Sequence, residues 1–512
     1  ARYAATRSWA LAYEHRESPQ AGDALTALAA RRLLRAARLA ARDDDAQRAA
    51  FTDKMRATAL LLAALKLSPH NFELKLQLCV CFDALSAYEP VPEIRKQLEI
   101  QHVQVDSMSH VFLEPSIANV AFKTATSICE EILAYHRSSG SDVPHWFAEA
   151  FHRQSYSRII DLQRFEYRLT HSHQLAVAAV EHAHLDIIDA QLQLTKIRSI
   201  LSDLPSQAKI ISDEAAKKLV FNQDEKALAN ILAPRSYDAS NSSATHQVDK
   251  PTRLLWLRLR SNLLQLLSQL LLASNDNNTN NSNKKSKNAK NSGAVSSSIA
   301  IDEIQSTLST VRQLLTQLNG GEEVKAGDTP ALQQYNLLVQ SLALLIDVRS
   351  AFVNDSDAAE CTSLGDSLRQ TGAKFEQLVT ALVQLVDTNS VDASQHIPTL
   401  CVAATLTLRW PLIVVAIVNT SAPSQKKASA HSKALKEELR HMQTAITESA
   451  QTLAARIDTL ASTLEPSSPP TTNFLRTNDP LLTVLFDSTS EVEKHVNETE
   501  HQVNYAHQVA LR

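Results

Sequence analysis

Only eight of the 512 residues are glycine (Gly22, Gly140, Gly293, Gly320, Gly321, Gly327, Gly365 and Gly372), scattered singly or in one pair, where an ordinary chain carries about 7%. Phosphate-cradling loops, nucleophile elbows and tight β-hairpins all need glycine at positive φ. Rossmann, P-loop, α/β-hydrolase and β-sandwich readings therefore lose their local chemistry together. What remains is an all-α chain. Its hydrophobic fraction of 44% suffices for one large helical array, or for two to four domains of about 150 residues each.

Prolines and polar runs divide the sequence into helical blocks. Between Pro144 and Pro205 there is neither proline nor glycine, and Phe147, Phe151, Ile159, Leu162, Phe165 and Leu169 recur at three-to-four spacing, which predicts helices with one buried face. The run from Leu254 to Leu271 is apolar almost all round; such a helix belongs inside a larger assembly. Residues 274–298, essentially the string Asn275 to Ser298, are rich in Asn, Lys and Ser and read as a disordered insertion. Beyond it, helices are predicted at about 299–319, 330–354, 364–388, 397–420 and 431–464, with a last one from about Asp479. In the 431–464 helix the apolar positions Leu435, Leu439, Met442, Ile446, Leu453, Ile457, Leu460 and Leu464 suit packing within an array better than a free coiled coil. Earlier, Ala57, Leu61, Ala64 and Pro69 fall at the offsets of the second helix of a tetratricopeptide repeat. The next unit would start near Phe72, with Leu78 and Phe82 facing inward and Cys79 at the small-residue position.

Charge narrows the partners. Fifty-one Lys and Arg against 55 Asp and Glu give a net charge of -4, too balanced for a protein that coats DNA or an anionic membrane. Five cysteines fit buried thiols in a reducing compartment, and the cytoplasm is the expected location. Residues 398–418 are long enough to cross a bilayer, but Arg409 and Pro411 at the centre favour a buried helix.

Neither histidine nor cysteine offers a metal site. His171, His173, His182 and His184 form two H-x-H pairs; on a helix, residues two apart point away from each other, and His173 and His184 lie about three turns apart. They read as surface or capping histidines. Cys79 and Cys81 have no second pair at zinc spacing and read as core thiols. Arg369 to Ala373 approaches an acetyl-CoA pyrophosphate signature, but Lys374 fills the last small position and no strand precedes it. With no catalytic constellation in view, the chain does not read as an enzyme.

Four strings, LKLSPHNFELKLQL (65–78), AYEPVPEIRKQLEIQHVQVDSMSHVFL (87–113), WFAEAFHRQSYSRIIDLQRFEYRLTHSHQLA (146–176) and RLLWLRLRSNLLQLL (253–267), resemble the auxiliary, non-catalytic subunit of the NatB N-terminal acetyltransferase complex. The resemblance is specific over about 50–270, and the chain looks like the C-terminal part of that subunit. It implies an all-α, tetratricopeptide-like helical-repeat superhelix (an α-solenoid) followed by a C-terminal helical bundle. It also implies a heterodimer with the catalytic acetyltransferase subunit, contact with the ribosome and with nascent chains beginning Met-Asp, Met-Glu, Met-Asn or Met-Gln, and acetyl-CoA held by the partner. No cofactor or metal is expected on this chain, and no membrane. Other helical-repeat adaptors, a cochaperone or a NatA-type scaffold, are the alternative.

The expected organisation is repeats at 1–140, a helical continuation at 141–273, the insertion at 274–298 and a helical region at 299–512. Tyr88, Glu89, Pro90, His102 and Asp106 lie in the best-matching strings and are the candidate partner-binding residues. The first three should form a turn between helices, and His102 and Asp106, four apart, should share one helix face.

Overall fold

The computed structural model of the chain describes residues 22–39, 44–190, 193–203, 211–223, 250–282, 297–320, 330–354, 358–387, 408, 410–421, 429–463, 494–499 and 501–503. Among these the fold is all-α, without a strand. The helices are α1 (Asp23–Leu39), α2 (Asp44–Leu67), α3 (Phe72–Ala84), α4 (Val91–Gln97), α5 (Val103–Met108), α6 (His110–Ala118), α7 (Phe122–His152), α8 (Ser157–Thr170), α9 (His173–Asp189), α10 (Leu194–Asp203) and α11 (Asp213–Lys218). The second half holds α12 (Lys250–Ser282), α13 (Ser297–Leu318), α14 (Pro330–Asn354), α15 (Ala358–Asp387), α16 (Trp410–Ser421) and α17 (Ala430–Thr463).

Two hydrophobic cores organise them. The first lies under α1 to α7, where α1 packs along α2 and α2 on α3. Ala57, Leu61 and Ala64 of α2 are fully buried, as the repeat offsets require, and Leu78 and Phe82 of α3 point into the same interior with Cys79 and Cys81. Small residues let the two helices close on each other, and Pro69 follows directly where α2 ends. Asn71 caps α3, its side-chain oxygen accepting from the Leu74 amide at 3.2 Å, and its amide group and the Ser68 hydroxyl both donate to Asp23. A later segment closes on this core: His495 Nε2 donates to the Ala59 carbonyl at 2.8 Å, Lys66 pairs with Glu498, and Val496 and Val503 are buried there.

The second core runs from α9 to α17. Leu257, Leu259, Leu263, Leu264, Leu266, Leu267 and Leu270 of α12 are buried within it. Helix α9 contributes to both cores, Ala178 and Leu185 to the first and Val180, Ala183 and Ile187 to the second. It is the hinge plate between them. Glu181 of α9 and Arg260 of α12 meet across that junction at 2.6 Å.

Several boundaries differ from the sequence reading for identifiable reasons. Helix α7 runs unbroken through Gly140 and Pro144, because a proline removes one main-chain hydrogen bond and burial of Val143 and Ala150 on either side holds the helix. The expected boundary at 140 therefore falls inside a helix. Helix α12 continues to Ser282, so the first residues of the predicted insertion extend a helix already nucleated by the leucine run, where each further residue costs little; 283–296 lie outside the described residues. The 398–418 stretch contributes α16, whose Ile413, Val414, Val415, Ile417 and Val418 are fully buried in the second core, while 398–407 and Arg409 lie outside the described residues. No described helix is long and apolar enough to cross a membrane. Of the helix predicted from Asp479, 494–499 and 501–503 are helical and the rest lies outside the described residues.

Helices α15 and α17 pair along their length. Leu435, Leu439, Met442, Ile446 and Leu453 of α17 are buried; the side chains of Ile457, Leu460 and Leu464 lie outside the described residues. The signature-like stretch at 369–374 is part of this pairing: Arg369 makes an ion pair with Glu438, and a Cβ on Gly372 would stand 3.6 Å from that of Ala445. That is ordinary van der Waals contact, so Gly372→Ala should gain helix propensity without strain. The expected result is stabilisation by about 0.5–1 kcal/mol, read as a higher urea midpoint; a lower midpoint would mean that the two helices approach more closely than this.

Candidate functional site

The five candidate residues separate into a buried and an exposed group. Tyr88, Glu89 and Pro90 do form the turn between α3 and α4, where Pro90 precedes the first residue of α4. Tyr88 is buried, and its hydroxyl donates to the Phe112 carbonyl of α6 at 2.7 Å; Pro90 is buried and Glu89 exposed. His102 has φ 54°, in the left-handed region, so it stands before α5 rather than in it. The expected shared face with Asp106 does not form: His102 is exposed and Asp106 is buried.

Around Asp106 the chain assembles a polar hub. The Oδ1 atom accepts from His136 Nε2 of α7 at 2.9 Å and from the Ser172 hydroxyl at 2.5 Å; Oδ2 accepts from the Asn222 side-chain amide at 2.7 Å. Ser172 is also the N-cap of α9, where its oxygen accepts from the Leu175 amide. One hydroxyl thus starts a helix and fastens it to α5. The extended segment 219–223 reaches the hub through a parallel bridge, in which the His173 amide donates to Val220 O and the Val220 amide to His171 O. Asn222 then ties in α8, accepting from Arg168 Nε at 2.9 Å.

Charge in the hub is fixed by these donors. Burial alone would raise the Asp106 carboxyl, but the hydrogen bonds from His136, Ser172 and Asn222 outweigh it and hold the group below the usual carboxylate range. Nearby, His173 is buried and stacked on Phe221 with ring centroids 4.2 Å apart, and neither of its ring nitrogens meets a hydrogen-bond partner among the described residues. Burial pushes it down to about 4, with Arg253 adding to the effect. His110 is pushed down to about 3 by burial, again with Arg253 contributing. His173 and His184 were expected at the surface or at caps; both are core residues, because α9 is covered on two sides. His184 faces the Arg260 carbonyl while His182 pairs with Asp186, so the two H-x-H members diverge. Among the described residues no group of His, Cys, Asp and Glu has metal-ligand geometry.

A carboxylate held ionised by three donors in a closed interior is a poor base and a good clamp. His136, Ser172 and Asn222 were not singled out in the sequence. Ser172 carried a readable signal, a capping residue just ahead of a helical pattern.

Residues 2–225, which contain this hub, match the family described as the N-acetyltransferase B complex (NatB) non catalytic subunit. Over those residues the chain is similar to that family. Human N-alpha-acetyltransferase 25, NatB auxiliary subunit, is 25% identical over 228 residues, 43% of this chain and 22% of the relative. The mouse protein of the same name is 25% identical over 224 residues, 42% of this chain and 22% of the relative. The N-terminal acetyltransferase B complex auxiliary subunit of Arabidopsis thaliana is 22% identical over 174 residues, 33% of this chain and 16% of the relative. The chain matches about a fifth of the length of these NatB auxiliary subunits. A chain of the NatB acetyltransferase complex bound to a bisubstrate inhibitor is similar with a TM-score of 0.47 and 11% identity, covering 90% of this chain and 52% of that one. In the NatB non-catalytic family match, all five candidate residues and every member of the hub fall inside the matched segment.

Proposed function

We propose that this chain is a non-catalytic scaffold that binds and positions the catalytic subunit of a NatB-type acetyltransferase. The match of residues 2–225 to the family of non-catalytic subunits carries the reading. Stacked helix pairs suit it physically, since such arrays present extended surfaces to other proteins. In this reading acetyl-CoA sits on the catalytic partner, the substrates are cytoplasmic nascent chains beginning Met-Asp, Met-Glu, Met-Asn or Met-Gln, and the complex works at the ribosome. Of the five candidates, Glu89 and His102 are placed to touch the partner directly; Tyr88, Pro90 and Asp106 are positioning residues that hold the surface behind them.

The test is co-expression of the tagged full chain with a NatB catalytic subunit. Stable co-purification is expected, with acetyl transfer to Met-Asp and Met-Glu peptides by the pair and neither acetyl-CoA binding nor transfer by this chain alone. Failure to capture the subunit, or turnover by this chain alone, would overturn the proposal.

A further inference from the structure

The sequence pattern predicts a buried face for the block around α8, and α8 has one: Ile159, Leu162, Phe165 and Leu169 lean on α7, with Trp146 and Phe165 in ring contact. Unlike most of the described apolar helices, however, α8 is covered on that side only among the described residues. Its opposite side carries a second apolar stripe, open to solvent. Tyr156, Ile160 and Tyr167 are 59, 56 and 49% exposed, and His171 stacks on Tyr167 at 4.2 Å. With Gln163 and Arg164 between them, these positions follow steps of four, three or four, three or four, and four. At 3.6 residues per turn such steps form one continuous seam along a helix. An exposed seam of this kind marks an interaction surface.

The geometry points to a second copy of this chain as the occupant: we propose that the outer face of α8 pairs antiparallel with the same face of another molecule. The seam is symmetric about the middle of the helix. Turned end for end, it sets Ile160 against Tyr167, Tyr156 against His171 and Gln163 against Arg164 of the second copy, the self-complementarity that a two-fold interface requires. Charge agrees with the register. Asp161, Arg164 and Arg168 lie on one flank of the seam, and the antiparallel arrangement brings each Asp161 to about 3 Å in axial height from both Arg164 and Arg168 of the other copy. Within one molecule Arg164 approaches Asp161 only to 3.7 Å, both side chains being about three-quarters exposed, so re-pairing across the interface costs little.

A nucleic acid fits this face less well. Two cations around the seam are answered locally by acids, Arg153 by Glu149 and Arg164 by Asp161, and Arg168 is held by the Asn222 side-chain oxygen, whereas a polyanion needs phosphate-facing cations without such neighbours. One helix pair is a small interface, so the dimer should dissociate in the micromolar range. The proposal does not rest on acetyltransferase binding, and its test does not use it.

Light scattering on the purified full chain over a concentration series should show the mass doubling. Ile160→Glu should weaken the dimer by about tenfold or more without changing helicity, because the side chain is already in water. Asp161→Arg alone should be monomeric, facing Arg164 and Arg168 of the second copy; Arg164→Asp alone should dimerise more weakly than the parent, since Asp161 then faces one aspartate and one arginine; and an equimolar mixture of the two should recover a heterodimer. That recovery also shows both variants to be folded. A chain that stays monomeric at its highest soluble concentration overturns the proposal, as does a dimer indifferent to Ile160→Glu, a mixture that fails to re-associate, or mass gained only on adding RNA.

Discussion

Acidification from pH 7 to pH 5 will destabilise this protein by at least about 4 kcal/mol, before most of its carboxylates take up a proton. His110 and His173 carry the effect, and His184 acts in the same direction. His110, His173 and His184 are buried in the described structure. Burial is the leading reason that each is pushed down, to about 3 for His110, to about 4 for His173 and well below the usual value for His184; Arg253 adds to the first two and Arg260 to the third. In the unfolded chain each takes up its proton near pH 6.5. Because the folded values lie lower, the unfolded state binds more protons through this window. The histidine contribution is therefore complete above pH 6.5 and is lost as pH falls towards the folded values. At pH 5 that amounts to about 2 kcal/mol each for His110 and His173, at about 1.4 kcal/mol per pH unit and proton, and His184 adds in the same direction. Urea unfolding followed by circular dichroism at pH 7, 6 and 5 measures it. His173→Phe, which keeps a ring against Phe221, should recover about 2 kcal/mol of the loss. A midpoint constant between pH 7 and 5 would mean that these rings are charged in the native protein.

None of those three rings announced itself as buried. The reason is instructive about what a linear pattern carries. A helix against one neighbour shows a single stripe, and wherever that holds the sequence reading and the structure agree to within a few residues, as in α13, α14 and α17. Helix α9 is clasped between two cores, so its polar side chains go inside with the apolar ones and periodicity no longer separates them. Helix α8 fails in the opposite sense: it has the residues of a buried helix and, among the described residues, only one helix packed along it. The repeat offsets in α2 and α3 were legible because small residues at close helix contacts are a local requirement. The Asp106 hub was not, since its donors come from three separate segments and Asn222 is 116 residues away. Nothing within a window of one helix can register such a meeting. The aspartate itself stood out only through the resemblance of its string to a family, which marks a position without saying whether it faces in or out.

Replacing Asp106 will show which of those it is. Asp106→Ala leaves the His136 ring N–H, the Ser172 hydroxyl and the Asn222 amide buried without their acceptor, and removes a carboxylate that its donors hold ionised against the cost of burial. Breaking a buried, hydrogen-bonded charge cluster on one side costs about 3–5 kcal/mol, more than truncating an exposed contact residue, because the remaining polar groups stay desolvated. The melting temperature should fall by several degrees or more, and with it the docking of α9 and of segment 219–223 onto α5, visible as faster amide exchange in residues 172–175 and 220–222. Asp106→Asn is the sharper comparison. Its amide keeps the shape and one acceptor oxygen, but its NH2 group confronts a donor where a carboxylate oxygen stood, so about half of the loss should persist. The pH dependence of the parent separates this group from the histidines. A carboxyl held below its usual value stabilises the fold above the ordinary carboxylate range, near pH 3.9, and loses that contribution only as pH falls through its folded value; the Asp106 deficit should therefore be the same at pH 7 and pH 5. Unchanged melting together with impaired capture of a catalytic subunit would instead place Asp106 at a partner surface, a result that its burial behind α7 and α9 argues against.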